Sequence, residues 1–445
     1  MQDARRDELS VRQERVVLVG TLLPDEDHGG EGPLDELERL AETAGALVVG
    51  RLTQKLRQIN VATYIGPGKA EELRDLCKAL GADAVICDHD LSPAQIRNLE
   101  RVTETKVLDR SELILDIFAT RAKTRQAKVQ VELAQLEYTL PRLTRMWSHL
   151  DRHGGGIGTR GPGERQIETD RRLIAQRMRD IRRELAAIAR RKHREVVARR
   201  GEFRVCLVGY TNAGKSTLMN ALTGAEAFVE DRLFATLDTR TRIWHLDGKR
   251  RVLLSDTVGF IRRLPHHLVA SFHATLEVAN EADLLLHVID ISHADCFHQY
   301  ETARGVLAEI GCGEIPVLHV LNKVDKARPT TEAQMLTAIL SDYVRVSALR
   351  GDGLEALRKR VLELVAERER VVTVRAHCGN GRLLACVHNL ARVVSRHRED
   401  DHVVIEARCE PRHLPAIRRA AGPGDEIVVH PGASSPSGER QLKEG

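Results

Sequence analysis

An eight-residue segment, GYTNAGKS at residues 209–216, constrains the fold of this 445-residue chain more than any other feature. It matches the pattern GxxxxGK[ST], in which backbone N–H groups curl around phosphate oxygens. The apolar segment FRVCLV at 203–208 precedes it, and the helix-forming residues TLMNAL follow it. A strand, a glycine-rich loop and a helix in this order predict a P-loop unit. In such a unit Lys215 contacts the β- and γ-phosphates and the Ser216 hydroxyl binds Mg²⁺.

Three later segments predict that the nucleotide is GTP. Each follows an apolar strand: DTVG at 256–259, NKVD at 322–325 and SAL at 347–349. The Asp of an NKxD sequence accepts hydrogen bonds from N1–H and the 2-amino group of guanine. Adenine lacks this donor pair, so it would leave a buried carboxylate poorly satisfied. In DTVG, the Asp can hold the shell of the Mg²⁺ ion and the Gly N–H can meet the γ-phosphate.

A loop between these segments, FATLD at 234–238, is predicted to be the first switch loop. A Thr is needed there to close over Mg²⁺ and the γ-phosphate. Thr239 and Thr241 compete for this role with Thr236, which we favour. We therefore predict catalytic roles for Lys215, Thr236 and Gly259, and Mg²⁺ ligation by Ser216 and Thr236. The predicted GTP-binding residues are Gly209, Tyr210, Thr211, Asn212, Ala213, Gly214, Lys215, Ser216, Thr217, Phe234, Ala235, Thr236, Leu237, Asp238, Asp256, Thr257, Val258, Gly259, Asn322, Lys323, Val324, Asp325, Ser347, Ala348 and Leu349.

The residue after DTVG is Phe260. In Ras-like GTPases a Gln at this position orients the attacking water. A phenylalanine cannot form a hydrogen bond with water, so hydrolysis needs a group from elsewhere in the chain or from a partner. We therefore expect slow intrinsic turnover.

Alternation of strands and helices predicts an α/β protein. We expect an N-terminal parallel α/β domain at 10–110, a long antiparallel helical hairpin at 111–200 and a P-loop GTPase domain at 201–370. A small C-terminal α+β domain at 371–431 and a disordered tail at 432–445 follow. Within the first and fourth of these domains, VATYI at 61–65 predicts a strand and the apolar stripe of 382–396 predicts a helix.

The positive charge of the chain is concentrated in the predicted hairpin. Residues 121–200 carry 21 Lys and Arg against nine Asp and Glu, whereas residues 1–120 carry 15 against 23. A net charge of +12 favours a polyanionic partner such as RNA, because neutralised phosphates release counterions. The glycine-rich tip of the hairpin contains the candidate RNA-binding residues Arg152, Arg160 and Arg165. The alternative is a solvated helix face, which is the usual role of a charge run.

Taken together, these segments resemble the HflX family of ribosome-associated GTPases. GYTNAGKS, FATLD and DTVGFIRRLPHHLV are similar to the phosphate loop and the two switches of that family. YIGPGKAEEL, KVQVELAQLEY and GGGIGTRGPGERQIETDRR are similar to its N-terminal domain and helical arm, so the resemblance covers about residues 15–365. It implies GTP- and Mg²⁺-dependent binding to the large ribosomal subunit and its rRNA, with separation of stalled or idle 70S ribosomes into subunits.

Two other functions remain open. One is a GTPase that acts in assembly of the large subunit, and the other is a GTP-sensing scaffold with a protein partner. The second is disfavoured because aromatic residues, which often anchor protein interfaces, make up only 3% of the chain. The first residues lack a signal-peptide pattern, and no apolar run approaches the roughly 20 residues of a membrane span. We expect a cytoplasmic protein that is a monomer when it is not bound to a ribosome.

Overall fold

The fold is taken from a computed structural model, which describes residues 13–24, 32–146, 162–198, 202–224, 233–234, 239–248, 250–262, 278–328 and 330–430. The strands in these residues form three sheets of four, six and four strands. The predicted class is confirmed: a parallel N-terminal sheet, a P-loop GTPase sheet and a small antiparallel C-terminal sheet follow one another along the chain. Among the described helices, none combines the length and the apolarity that crossing a membrane requires.

The N-terminal sheet has the strand order β2-β1-β3-β4, and its paired strands are parallel. Side chains of β1 and β3 alternate between two apolar clusters, because helices cover both faces of a parallel sheet. Its strands are β1 (Arg15–Leu22), β2 (Leu47–Lys55), β3 (Ala84–Cys87) and β4 (Lys106–Leu108), and its helices are α1 (Asp35–Ala44), α2 (Pro67–Leu80), α3 (Pro93–Thr103) and α4 (Arg110–Arg121).

The strand predicted at 61–65 is wrong, since these residues form a turn. The Asn60 carboxamide oxygen accepts hydrogen bonds from the backbone N–H groups of Ala62 and Thr63, at 2.8 and 3.0 Å. Tyr64 then adopts a positive φ of 66°. A local side-chain hydrogen bond of this kind competes with extended structure. The place beside β1 is taken by β2, which continues to Lys55.

Two long helices follow, α5 (Arg125–Met146) and α6 (Pro162–Ala198). Val129 and Leu133 of α5 share a small apolar cluster with Met178 and Ile181 of α6. These residues form an apolar seam through which the two helices pack. Ion pairs at 2.7–2.8 Å also join the two helices, namely Arg125 with Glu184, Arg177 with Glu132 and Arg182 with Glu137.

The six-stranded sheet has the order β10-β9-β8-β5-β7-β6. Strands β5, β8, β9 and β10 run parallel, so the loops after their carboxyl ends lie at one edge. The strands are β5 (Arg204–Val208), β6 (Arg240–His245), β7 (Arg251–Asp256), β8 (Leu284–Asp290), β9 (Val317–Asn322) and β10 (Tyr343–Arg345), and the helices are α7 (Lys215–Thr223), α8 (Cys296–Glu309), α9 (Thr331–Ile339) and α10 (Leu354–Glu367).

The C-terminal sheet is antiparallel, with the order β12-β13-β11-β14. The helix predicted at 382–396 is wrong beyond Leu390, because residues 392–399 pair with β13 as an edge strand. The β-branched residues Val393 and Val394 favour this strand over a longer helix. The strands are β11 (Arg370–His377), β12 (Arg392–Glu399), β13 (His402–Cys409) and β14 (Glu426–Val429), and the helices are α11 (Gly381–Leu390), a 3₁₀ turn (Pro411–His413) and α12 (Leu414–Ala420).

Candidate functional site: a guanine nucleotide site

The phosphate loop joins β5 to α7 through two glycines that the structure requires. Gly209 has a φ of +140°, and a Cβ atom there would lie 2.2 Å from the carbonyl oxygen of Val288. Gly214 has a φ of +91°, and its Cβ would lie 2.3 Å from Nδ2 of Asn322. Any side chain at either position would therefore collide with a neighbouring strand or loop. The two glycines of the GxxxxG spacing allow the loop to pack against β8 and the end of β9.

Lys215 is the first residue of α7 and is buried. Its Nζ donates hydrogen bonds to the carbonyl oxygens of Gly209 and Tyr210, at 3.1 and 2.8 Å. Burial lowers the pKa of the ammonium group to about 8. These acceptors are neutral, and a cation binds anionic oxygens more strongly than carbonyl oxygens. The loop thus holds a cation that an incoming phosphate would stabilise.

An oxygen-rich pair lies beside the lysine. Ser216 donates a hydrogen bond from its hydroxyl to Oδ2 of Asp256, at 2.6 Å. Asp256 ends β7 and is buried. A hydroxyl and a carboxylate are the hard oxygen ligands that Mg²⁺ prefers. The residues present at this point therefore fit a magnesium ion, bound either directly or through water.

Gly259 lies directly against the phosphate loop. A Cβ atom at this position would lie 2.5 Å from Cα of Thr211 and 2.9 Å from Nζ of Lys215. Two backbone hydrogen bonds fix the approach: Thr211 N–H donates to the Phe260 carbonyl at 2.7 Å, and Phe260 N–H donates to the Gly209 carbonyl at 3.1 Å. The start of the second switch is thus tied to the loop that it would sense, and only glycine fits there.

The Phe260 side chain faces away from this site. It is 1% exposed and belongs to an apolar cluster with Cys206, Val208 and Leu285. A ring buried in that cluster cannot contact a water molecule beside the γ-phosphate. The position that carries the water-orienting Gln in Ras-like GTPases therefore contributes to the core of the sheet here.

Of the first switch loop predicted at 234–238, the structure describes only Phe234. The Phe234 N–H donates to the Thr211 hydroxyl at 3.0 Å, and its φ is +54°. Its ring packs on Phe118 of α4, with centroids 4.7 Å apart and planes at 72°. Such edge-to-face pairs are favourable beyond their buried area. Ala235, Thr236, Leu237 and Asp238 lie outside the described residues, so the role assigned to Thr236 stays a prediction.

The segments predicted to bind the base are joined to the phosphate loop through the side chain of Asn322. The Asn322 amide donates to the Ala213 carbonyl at 2.9 Å, and its Oδ1 accepts from the Ala348 N–H at 3.0 Å. Asp325 accepts a hydrogen bond from the Ser347 hydroxyl at 2.6 Å, and this bond lowers the pKa of the carboxyl group. An ionised carboxylate is an acceptor only, which matches the two donors of guanine.

Thr257, Leu349 and the three candidate RNA-binding arginines are also among the predicted site residues. Thr257 anchors the second switch by donating from its hydroxyl to the Leu207 carbonyl at 2.7 Å. Leu349 is 75% exposed. The candidate RNA-binding residues Arg152 and Arg160 lie outside the described residues. Arg165 falls within α6, but its side chain is outside the described part of the structure.

A buried polar network that we did not predict reaches the site from the N-terminal sheet. Arg110 donates to Oδ1 of Asp88 at 2.7 Å, to Glu36 and to the carbonyl of Arg262 at 3.1 Å. Glu36 also accepts from the Tyr210 hydroxyl, and that hydroxyl accepts from the Arg262 N–H at 2.7 Å. Tyr210, the residue after Gly209, is thus held by a side chain 174 residues earlier in the chain. The sequence signal that could have indicated this network is the position of Asp88 and Arg110, which both follow strands.

Family models cover most of the chain in three consecutive matches. One described as GTP-binding GTPase N-terminal matches residues 31–119, and one described as GTP-binding GTPase Middle Region matches residues 121–199. A third, described as 50S ribosome-binding GTPase, matches residues 204–323. The last match includes the phosphate loop, DTVG and the start of NKVD.

Curated relatives are similar over most of their length. GTPase HflX of Lacrimispora saccharolytica is 47% identical over 375 residues, which are 83% of this chain and 87% of that protein. GTPase HflX of Caldanaerobacter subterraneus subsp. tengcongensis is 50% identical over 323 residues, or 72% and 74%. A solved structure titled as the complex of SsGBP with GDP is 26% identical, with a TM-score of 0.46 over 79% of this chain and 98% of that one. The chain is a GTPase and belongs to the HflX family.

Proposed function

We propose that this GTPase binds the large ribosomal subunit through α5 and α6 and separates stalled or idle 70S ribosomes into subunits in a nucleotide-dependent way. The family model described as 50S ribosome-binding GTPase supports a ribosomal partner. We place the action in the cytoplasm, by a protein that is monomeric when free. We also propose that the domains have the boundaries expected from the sequence.

The observation that carries the proposal is a row of arginines along α6. Arg172, Arg179, Arg183 and Arg190 are all exposed. Their separations of seven, four and seven residues place them within a sector about 40° wide and about 27 Å long. The apolar seam that packs on α5 lies on the opposite side of the helix. This row is not needed for helix pairing, and a linear array of cations fits the phosphates of an RNA backbone.

The nucleotide would be bound by the loops at the carboxyl edge of the six-stranded sheet. Lys215 binds phosphate oxygens, the Gly259 N–H meets the γ-phosphate and Asp325 binds the guanine base. Mg²⁺ would be held by Ser216, Thr236 and the carboxylate of Asp256, and it would neutralise charge on the β- and γ-phosphates. Because Phe260 is committed to the core, the group that positions the attacking water comes from another part of the complex. Binding energy then drives separation of the subunits, and hydrolysis releases the factor.

Sedimentation of intact 70S ribosomes tests this function directly. With the protein and a non-hydrolysable GTP analogue, we expect 30S and 50S peaks to grow at the expense of the 70S peak. GDP and the Lys215→Ala variant are controls that should leave 70S intact. Binding to isolated 50S without any separation of 70S would refute splitting and support the assembly alternative. Binding to neither would support the protein-scaffold alternative.

The arginine row provides a second test with a matched control. Replacing Arg172, Arg179, Arg183 and Arg190 by Ala should reduce the log–log salt slope of 50S binding by up to about four, if each meets one phosphate. The tip variant Arg152, Arg160 and Arg165→Ala should reduce it by up to about three. The control replaces four exposed arginines of the C-terminal sheet region, namely Arg396, Arg398, Arg418 and Arg419. Equal slopes for all three variants and the wild type would contradict an RNA contact by α6.

A further inference from the structure

Asp290 is a buried carboxylate that none of the sequence segments above includes. It is the last residue of β8, next to the phosphate loop in the sheet order, and is 7% exposed. Its Oδ1 accepts hydrogen bonds from the backbone N–H and the hydroxyl of Ser292, at 3.0 and 2.6 Å. Its Oδ2 lies 2.7 Å from Nζ of Lys323. One oxygen is thus fixed by a local turn, and the other is directed at the lysine of NKVD.

Lys323 is held in an unusual conformation by its surroundings. Its φ is +62°, in the left-handed region that residues with side chains seldom adopt. Its side chain is 23% exposed, and its Cε lies 4.0 Å from the position that a Cβ atom on Gly214 would occupy. The methylene chain therefore runs beside the phosphate loop and ends at Asp290. A lysine side chain has many rotamers in water, so a partner that binds its ammonium group restricts the position of the whole side chain.

Lys323 lies between the phosphate loop and Asp325, the residue predicted to bind the base. Gly214 belongs to the phosphate loop, and Asp325 is two residues further along the base-binding turn. Asn322, the residue before Lys323, already bonds to the phosphate loop at Ala213. A nucleotide with its phosphates at the first loop and its base at Asp325 must pass along the methylene chain of Lys323.

We propose that Asp290 is a positioning residue for guanine nucleotide binding. It holds the ammonium group of Lys323 and so keeps the methylene chain in place as an apolar surface for the nucleoside. A surface fixed before binding costs less conformational entropy when the ligand arrives. Asp290 acts through Lys323 and does not contact the base. The inference rests on the proposed placement of the base at Asp325.

The alternative is that Asp290 only closes the turn with Ser292, and matched variants separate the two roles. Asp290→Asn keeps an acceptor for Ser292 but removes the charge that holds the ammonium. We expect it to weaken GTP and GDP binding by about tenfold, measured by titration calorimetry of the full-length protein. Ser292→Ala removes the hydroxyl contact and leaves the ion pair, so affinity should stay within twofold. A larger loss in Ser292→Ala than in Asp290→Asn would overturn the proposal.

A double-mutant cycle tests whether Asp290 acts through Lys323. We expect Lys323→Met to lose about as much affinity as Asp290→Asn, and the double variant to be no weaker than Lys323→Met. Losses that add would show that Asp290 acts by another route and would overturn the inference. Because the Lys323 side chain is partly exposed, we expect the Lys323→Met variant to fold and to provide a result even if Asp290→Asn does not fold.

Inosine triphosphate separates this proposal from the base assignment. It lacks the 2-amino group, which Asp325 is expected to bind, but it keeps the same ring surface. Asp290→Asn should therefore lower affinity for GTP and inosine triphosphate by the same factor, whereas an Asp325 variant should change their ratio. A changed ratio in Asp290→Asn would contradict a role through the methylene chain. An unchanged ratio in the Asp325 variant would refute the base placement instead.

Discussion

The N-terminal sheet and the parallel strands of the six-stranded sheet both place polar side chains at the carboxyl ends of their strands, but the charges there have different partners. At the N-terminal sheet, Arg110 is buried between Asp88 and Glu36, so the buried cation has two carboxylate partners. At the six-stranded sheet, the buried Lys215 is held by neutral carbonyl oxygens. Both follow the common rule that polar groups collect at the carboxyl ends of parallel strands. Of these two buried cations, Lys215 is the one whose hydrogen bonds go to uncharged acceptors, so its charge is the one that a ligand can satisfy.

The two cations differ accordingly in how easily they lose a proton. Burial acts to lower the pKa of Arg110, but the charges of Glu36 and Asp88 outweigh it, and the pKa is raised. Burial lowers the pKa of Lys215 to about 8 because carbonyl dipoles compensate it poorly. A charge that is satisfied internally contributes to the fold, whereas a charge left in need of a partner marks a binding site. The same kind of substitution should therefore damage stability at one edge and binding at the other.

The largest expected effect is on stability, in Arg110→Ala. Removing this side chain leaves Glu36 and Asp88 as buried carboxylates that have lost their main cation. We expect the free energy of unfolding to fall by about 3–5 kcal/mol. Urea denaturation measures this loss. Arg51→Ala is the control, because Arg51 forms exposed pairs with Asp35 and Glu38 and should cost under about 1 kcal/mol. Equal losses in both variants would erase the distinction between the sheets.

Lys215→Ala should show the opposite profile. We expect GTP affinity to fall by about 100-fold or more, since the ammonium is the cation that meets the β- and γ-phosphates. The free energy of unfolding should stay within about 1 kcal/mol of the wild type, because the hydrogen bonds that the lysine loses go to neutral carbonyl oxygens. Calorimetric titration and urea denaturation of the same variant provide both numbers. A destabilisation as large as that of Arg110→Ala would show that Lys215 serves the fold.

Asp325→Asn tests the part of the site that is predicted to bind the guanine base. An amide presents a donor where guanine also donates, so GTP affinity should fall by about ten- to 100-fold. Xanthosine triphosphate, which has an acceptor in place of the 2-amino group, should bind better than it does to the wild type. Competition against a fluorescent GTP analogue measures both. Unchanged GTP affinity would show that Asp325 does not bind the base.

The smallest expected effect is a pH dependence of GTP affinity, which should arise from Lys215 in the six-stranded sheet domain. In the unliganded protein Lys215 loses its proton above a pKa of about 8, whereas phosphate stabilises the charged form. GTP affinity should therefore fall by less than about twofold between pH 7.5 and 8 and by up to tenfold per pH unit above 8. Lys215→Arg is the control, because a guanidinium stays charged throughout. A parallel fall in Lys215→Arg would assign the dependence to another group.

Local patterns explain which parts of this molecule could be predicted from the sequence. The phosphate loop, DTVG and NKVD each follow an apolar strand, so the spacing of a few neighbouring residues was enough to place them. The turn at Asn60 depends on one side-chain hydrogen bond, and β12 depends on pairing with β13. Glu36 and Asp290 lie far along the chain from the residues they hold, at Tyr210 and Lys323. Contacts of that kind leave no local periodicity in the sequence.

The burial of Phe260 restricts how a substitution at this position could raise the intrinsic rate of GTP hydrolysis. In a surface loop, a single substitution to Gln would install the amide that other GTPases use. Here Gln would place that amide among Cys206, Val208 and Leu285, at a desolvation cost of about 1–3 kcal/mol. The rate of the reaction is thus linked to the packing of the sheet. Selection for a faster enzyme would have to rebuild the core, whereas selection for a better partner would have to change only a surface.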